Sequence, residues 1–443
     1  MKKTFILLCL LPYVLFSQKV ENDPYSRYGL GELSDQEISG YRSMGHMSIA
    51  NVDRFHINLN NPASVALLGT AAYEVSANAK NATYKEGSKS AKNWGGSFDY
   101  IALGFPLKNP INEAYTTERS KYRLGMALGL NRYSRTAYNI SSLDSIEGIG
   151  NFERSYSGNG GTYKFHWSNG ISYKNLAVGI DLSYLFGNIT SSKDIIFKDL
   201  ENAFNNFYNK YYHMNAFGLN LGAIYHLQLN AKQAKDNPSI PLRSLRFGLT
   251  LSPGFGFSSQ KDELIITRQL IGTTTILADT ITDVYDQAGK GKLPLEIGGG
   301  VMYQAGEKSC VGIEFKYGGW SKYYNEATGE KAGSLNNSFQ IAMGGYVRPS
   351  YKSYTSFWKR AFYKYGAYYR QDPRVVADKQ VDQYGVTFGT GLPFVFQRKV
   401  AHADIGVDIG KKGSGTIIEE NYIKINFGFT FNDDEWFIKR KYN

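Results

Sequence analysis

The chain has 443 residues, 20% of them charged, with a formal net charge of +11, and its basic residues are scattered singly, which excludes a nucleic-acid surface and leaves no nucleic-acid partner to expect. Its two cysteines, one in the leader described below, exclude an intramolecular disulfide framework. Aromatics at 15% and 47 glycines, above the usual share of about 7%, with no run past the leader of the ~18 apolar residues of a membrane helix, fit a membrane β-barrel or a soluble exported β-protein.

Residues 1–18, MKKTFILLCLLPYVLFSQ, open on Lys2 and Lys3 and continue in an apolar run from Phe5 to Phe16. That is the form of a secretory signal peptide, too short for a membrane helix. Its removal takes two positive charges from the total, 11 − 2, leaving about +9. Cys9 goes with it, and the mature chain keeps Cys310.

Residues 19–69 are polar and poorly periodic, with turn formers at Asp23-Pro24, Gly29, Gly31, Gly40, Gly45 and Asn60 to Pro62. Ser34 and Glu37 have capping-box spacing ahead of a possible short helix. Tyr25, Tyr28, Leu30, Ile38, Tyr41, Met44, Ile49, Phe55 and Leu59 make the segment too apolar for a solvated tail.

From Thr70 the pattern changes to period two. In GTYKFHWSNGISYK (161–174) Tyr163, Phe165, Trp167, Ile171 and Tyr173 share one face, opposite Lys164, His166, Ser168 and Ser172. The last such run, 421–432, sets Ile423, Ile425, Phe427, Phe429 and Phe431 against Lys424, Asn426, Gly428 and Thr430. Alternation of this length means strands with one apolar and one polar face. Fourteen runs follow one another: 70–80, 94–106, 121–137, 161–173, 175–190, 211–228, 243–258, 293–305, 309–322, 335–347, 361–370, 381–391, 400–411 and 421–432. Many reach the ~9–11 residues that cross a bilayer at a tilt, whereas soluble strands average five or six. The three longest links, 138–160, 191–210 and 259–292, fall on alternate connections, and the tight turns at 174–175 and 306–308 fall on the others. Such sorting belongs to an outer-membrane barrel with short periplasmic turns and long extracellular loops. The stretch 261–285 reads as an extra hairpin extending two strands beyond the membrane. A tail, 433–443, ends the chain.

The expected fold is therefore all-β: a 14-stranded antiparallel transmembrane β-barrel (70–432), with residues 19–69 as an N-terminal plug and 433–443 as a periplasmic tail. Trp94, Trp167, Tyr173, Trp320, Tyr323 and Tyr324 suit interfacial girdles. The polar face carries Gly125, Gly179, Gly248 and Gly344 among many glycines, marking close approach of another backbone. A fourteen-stranded lumen is too wide for side chains alone to fill, since about eight strands is that limit. The charges of 19–69 have partners to find in lumenal Glu74, Asp99, Asp181, Glu296, Glu314, Asp404 and Asp408.

The order Gly40–Met44–Gly45, then Ile49–Ala50–Asn51–Val52–Asp53, then Asn61–Pro62–Ala63, directly before the first strand, resembles the N-terminal hatch of the FadL family of outer-membrane transporters of hydrophobic compounds. The plug motif of that resemblance is Gly45, Asn51, Asp53, Asn61, Pro62 and Ala63. The start NDPYSRYGLGEL and the ending ENYIKINFGFTFNDDEWFIKRKYN look like barrel proteins of Bacteroidetes, some of which are accessory subunits of protein secretion. The FadL resemblance implies passive uptake of a hydrophobic small molecule, a long-chain fatty acid or similar, across the outer membrane. It would be caught by Phe204, Phe207, Tyr208, Leu264 and Ile266 of the long loops and passed to Pro24, Tyr25 and Tyr28. Outer-membrane lipid and the ligand would be its partners, both termini would be periplasmic, and no cofactor is implied. The competing expectation is a non-transporting plugged barrel serving as an accessory subunit with outer-membrane or periplasmic protein partners.

No HExxH, G-x-S-x-G or CxxC is present, and His46 and His56, ten apart, lack metal-ligand spacing, so neither an enzyme nor a metal site is expected. Asp404 and Asp408 lie on one strand face about 13 Å apart at the rise of an extended strand, too far for a glycosidase pair.

Overall fold

The structure, a computed structural model, describes residues 22–108, 121–200, 202–237, 240–271, 274–353 and 355–435. The expected signal peptide and residues 436–443 of the expected tail lie outside the described residues.

Fourteen strands form a closed antiparallel barrel. They are β1 (Ala71–Glu86), β2 (Lys89–Pro106), β3 (Tyr122–Ile146), β4 (Gly150–Tyr173), β5 (Leu176–Phe197), β6 (Phe204–Gln228) and β7 (Arg243–Ser252, resumed at Gly256–Ile271). They continue as β8 (Thr274–Lys292, resumed at Glu296–Ala305), β9 (Ser309–Gly318), β10 (Ser338–Val347), β11 (Phe362–Val376), β12 (Lys379–Phe396), β13 (Lys399–Lys412) and β14 (Glu419–Asp433). Each pairs with the next, and β14 returns to β1 in register from Glu419↔Lys85 to Asp433↔Ala71. Ala71 and Asp433 thus mark the lower rim, and the β1–β2 turn at Gly87 the upper.

The alternation sorts the two faces as hydrophobicity requires. Phe165, Trp167, Val178, Ile180, Leu182, Ile313, Phe315, Ile405, Phe427 and Phe429 all point outward and are exposed. A contiguous apolar band of this extent is stable only against lipid. Trp94 and Tyr173 lie on that outer surface, but Trp320 and Tyr323 are 2% and 0% exposed. The girdle expected of these two is not formed. After Gly318 the chain makes a 3-10 turn, Trp320–Lys322, and folds inward, where both rings pack with Leu30, Phe257, Leu293 and Leu335.

Three features depart from a simple cylinder. The links expected as loops at 138–160, 191–210 and 259–292 are ladder: β3 and β4 stay paired to Ile146↔Gly150, β5 and β6 to Ile195↔Asn206, and β7 and β8 to Ile271↔Thr274. Their alternation fades because strand faces above a membrane both meet water. The extra hairpin at 261–285 is the upper part of β7 and β8. Both strands break side by side, at Pro253–Phe255 and Leu293–Leu295, where a proline removes a ladder donor. Finally, β2 and β3 pair only from Pro106↔Gly125 to Tyr100↔Asn131, although β2 runs on to Lys89 and β3 to Ile146. This seam is lined on the β3 side by the N-terminal segment. Glu32–Leu33 pair with Arg135–Ser134, and the Asp23 amide donates to the Ala137 carbonyl at 2.7 Å.

Residues 22–69 lie inside the barrel. Inward glycines give their backbone room: a Cβ on Gly179 would stand 2.3 Å from the Pro62 carbonyl carbon, and one on Gly366 2.2 Å from the Gly45 nitrogen. Real Cβ atoms do not approach so closely, so the wall carries no side chain where the inner backbone comes nearest, as at Gly179 and Gly366. Gly366→Val is expected to cost about 1–3 kcal/mol as overpacking, read as a lower unfolding temperature in detergent, and to make residues 22–69 cleavable by added protease. Gly299→Ala, whose new Cβ would meet only Leu249 Cδ2 at 3.5 Å, is the neutral control. A wild-type cleavage pattern in Gly366→Val would show that Gly45 is not seated on that strand.

Candidate functional site: the filled lumen

Glycine, proline and asparagine keep the inner segment in short pieces. A 3-10 turn, Pro24–Arg27, is capped by Asp23, whose Oδ1 accepts from the Tyr25 amide at 2.9 Å. A helix of one turn covers Ser39–Arg42, and a second 3-10 turn, Pro62–Leu67, is capped by Asn61, whose Oδ1 accepts from the Ala63 amide at 3.1 Å. The capping box expected of Ser34 and Glu37 does not form. The Ser34 amide donates to the Tyr133 carbonyl at 2.9 Å, and the Glu37 carboxylate accepts from Lys316. A charged wall partner outcompetes a local cap, which at best is worth a neutral hydrogen bond or two.

Each motif residue has a structural task. The Gly45 amide donates to Thr387 Oγ1 at 2.8 Å, with φ +69°. The Asn51 carbonyl accepts from Asn58, and Asp53 accepts from the Phe55 amide at 2.9 Å while its other oxygen meets His56 Nδ1 at 3.1 Å. Asn61 Nδ2 donates to the Ile49 carbonyl at 2.7 Å, tying the turn to the middle of the segment. Pro62 rests over Gly170 and Gly179, and Ala63 is fully buried beside Ala177 and Ile224.

Charge pairing fixes the segment to the wall from top to bottom. Near the upper rim Lys412 pairs with Glu32 at 2.9 Å, and Arg374 Nη1 donates to the Tyr25 carbonyl at 3.0 Å. Lower down, Asp35 meets Lys424 at 2.8 Å and Arg370 at 3.2 Å, while Arg42 meets Asp99 at 2.7 Å. Glu314 accepts from the Ser48 and Ile49 amides at 2.7 and 2.6 Å. His46 Nε2 lies 3.2 Å from Asp408, and His56 Nε2 3.2 Å from Asp404, which also takes Lys364. Asp404 and Asp408 are thus anchor points for two histidines. The sequence marked the wall carboxylates through alternation. It did not show which wall residues would meet Asp35, Glu37, Arg42 and His46, because those neighbours are non-local and the segment has no period.

Three cavities lie beside the inner segment, each with charged residues in its lining. A central cavity of about 220 Å³ is lined by Asp35, Glu37, Lys164, Glu296, Lys316 and Arg370 together with apolar and aromatic Leu33, Ile49, Leu59, Tyr133, Trp320 and Phe339. A second, of about 60 Å³, follows the β2–β3 seam beside Lys80, Asp99, Arg132 and Lys424. A third, of about 240 Å³, lies under the upper hairpins between Arg27, Leu30, Lys210, Tyr212 and Lys261. The residues expected to catch and hold a ligand are not gathered around any of them. Phe207 and Ile266 face each other across the β6–β7 ladder, Tyr208 pairs with Ile265, Leu264 with Asn209, and Phe204 is exposed near the strand tip. Pro24 begins the first 3-10 turn, Tyr28 is exposed, and Tyr25 is buried across the barrel against Val376 and Val381, its hydroxyl at the Thr416 turn. Long-range pairing, not apolarity, decides where these rings go.

Asn22, the first described residue, is bonded to Asn139 near the upper rim, whereas Asp433 is at the lower. The two described ends therefore lie at opposite rims, while the termini themselves lie outside the described residues. The inner segment descends the lumen and hands over to β1 at the bottom, where that strand must start.

The model of the BamG family matches residues 1–443, the whole chain. The chain belongs to the BamG family. Its fold is that of the Ralstonia pickettii toluene transporter TbuX (TM-score 0.54, 11% identity, 90% of this chain and 99% of that one) and of a Pseudomonas aeruginosa FadL homologue (0.56, 10%, 91% and 99%). It is also that of the Pseudomonas putida toluene transporter TodX (0.50, 12%, 92% and 100%). At such identities the likeness is one of fold. No curated protein matches this BamG-family chain in sequence.

His56 gives the lumen a measurable pH response. Burial pushes its imidazole down, but Asp53 and Asp404 outweigh that and raise it well above the usual value. Lys364 and the His402 ring, 4.9 Å away, share the pocket. A raised folded value means that the stabilisation is fully present below the ordinary histidine range near 6.5 and is lost as pH rises through the folded value. Protease protection of residues 22–69 is therefore expected to weaken from neutral pH upward, and to weaken less steeply in His56→Gln, which should be less protected at pH 6. Identical pH profiles for the two proteins would contradict this assignment.

Proposed function

We propose that this chain is an outer-membrane barrel with a fixed plug, residues 19–69, and that it acts as an interaction subunit beside other outer-membrane or periplasmic proteins. On this reading residues 1–18 direct export, the apolar band meets outer-membrane lipid, and the upper hairpins face the cell exterior. The observation that carries it is the chemistry of the lumen. The path between the rims is occupied by residues 22–69 and flanked by ion pairs at every level. An alkyl chain gains ~0.8 kcal/mol per CH₂ only by burial in apolar surroundings, and the central cavity interrupts its apolar lining (Leu33, Ile49, Leu59, Trp320, Phe339) with the charges of Asp35, Glu37, Lys164, Glu296, Lys316 and Arg370. Membership of the BamG family also supports an accessory role.

Uptake of a hydrophobic small molecule is the second reading, supported by the shared fold and by the open seam between β2 and β3. It needs the inner segment to move, and a cross-link separates the two. Leu33→Cys with Ser134→Cys joins residues that are already register partners, at the spacing of adjacent antiparallel strands, which suits a disulfide. The oxidised double variant is expected to support growth of a deletion strain as well as its reduced form does. Wild-type protein in liposomes is expected to pass neither toluene nor oleate above the empty-liposome rate. Flux that vanishes on oxidation would establish transport and overturn the plugged-subunit reading.

A further inference from the structure

We propose that Asp35, Glu37 and His46 form a binding site for one divalent transition-metal ion of the zinc type inside the lumen. One oxygen of each carboxylate and His46 Nδ1 lie within 4.8 Å of one another. His46 Nδ1 stands 3.5 Å from Glu37 Oε2 and 3.7 Å from Asp35 Oδ1. These separations are too long for direct hydrogen bonds, yet close to the spacing of about 3.4 Å between atoms of a tetrahedron with metal–ligand bonds near 2.0–2.2 Å.

The independent observation is that two of the buried atoms aimed into this space lack a hydrogen bond and face each other across 3.5 Å. His46 is 1% exposed and Glu37 4%, and neither Nδ1 nor Oε2 makes a hydrogen bond. Their other ends are occupied. His46 Nε2 is held by Asp408 at 3.2 Å, and Glu37 Oε1 accepts from Lys316 and Asn60. Asp408 thereby fills the position of the outer carboxylate that orients a metal-bound imidazole, fixing the proton on Nε2 and turning the Nδ1 lone pair into the gap. Asp35 also meets Arg370 at 3.2 Å and Lys424 at 2.8 Å, so the ion would share that carboxylate with two cations. An imidazole nitrogen with two carboxylates suits zinc better than calcium or magnesium, which take oxygen alone. Asp35 and Glu37 line the central cavity, which supplies an entry path and room for a water as fourth ligand. All three ligands come from the inner segment and His46 is tied to β13 through Asp408, so a bound ion would lock the segment's upper and middle parts to the wall.

The test uses the full mature protein, folded in detergent, stripped with a chelator and titrated with zinc alone. Calorimetry and elemental analysis are expected to give one zinc per chain. His46→Gln and Glu37→Gln should lose that stoichiometric binding, at least 100-fold in affinity. Asp408→Asn, which keeps all three ligands, should weaken it by about 10–100-fold. Folding of each variant is checked by heat-dependent gel mobility. Should the ligand variants fail to fold, the zinc-edge absorption spectrum of the wild type decides: a shell of one nitrogen with oxygens supports the site, and a sulfur-containing or multi-histidine shell overturns it. Failure of the stripped wild type to take up one zinc at micromolar concentration also overturns it, as does wild-type binding by His46→Gln. In those cases a proton, not a metal, sits on Nδ1.

Discussion

Charge buried inside a lipid-facing wall is the constraint on which the rest of this structure depends. Fourteen strands with apolar residues on one face must turn their polar face inward, and the resulting lumen is too wide for side chains to fill. Carboxylates such as Glu314, Asp404 and Asp408 would then stand in a space partly cut off from water. The inner segment answers them with amides, histidines and a guanidinium. Removing one partner of a buried pair typically costs 3–5 kcal/mol, so wall and inner segment stabilise one another and neither arrangement is optional.

The same constraint explains the irregularity of residues 22–69. A regular helix would satisfy its own backbone and leave the wall charges unmet. Instead, short turns expose amides that point at wall carboxylates, as at Ser48 and Ile49 with Glu314, or at Ile57 with Glu74 at 2.8 Å. Such a path needs the chain to run close to the strands, and the inward glycines permit it. Above, the overlong strands and the inward-folded Trp320–Tyr323 turn close the upper side with an apolar cluster that includes Leu30. A second apolar cluster, with Ile38, Met44, Ile57, Leu59 and Leu68, fills the lumen lower down between the ion pairs.

A fold shared with proteins described as toluene transporters surrounds, in this chain, an interior crossed by ion pairs. Fold constrains strand number, closure and the presence of an inner segment; the chemistry that a lumen offers lies in its side chains. Here those side chains are ion pairs, and the features that remain free for partners are the exterior band, the tall hairpins of β3 to β8 and the seam between β2 and β3.

Period two along the chain was enough to place all fourteen strands, the sidedness of Phe165, Trp167 or Phe427, and the lumenal address of Asp404 and Asp408, because a strand's alternation is set by its immediate surroundings on either face. Glycines on the polar face likewise announced a second backbone, since a missing Cβ is a local mark of a distant contact. What could not be read was everything that depends on which distant residue arrives opposite. The sequence held no sign that Tyr25 would pack at the β13–β14 turn, that Trp320 and Tyr323 would fold inward, that Glu37 would leave Ser34 for Lys316, or that Asp35, Glu37 and His46 would converge. Those outcomes follow from barrel closure, which sets residues hundreds of positions apart side by side, and from charges that choose the strongest partner within reach.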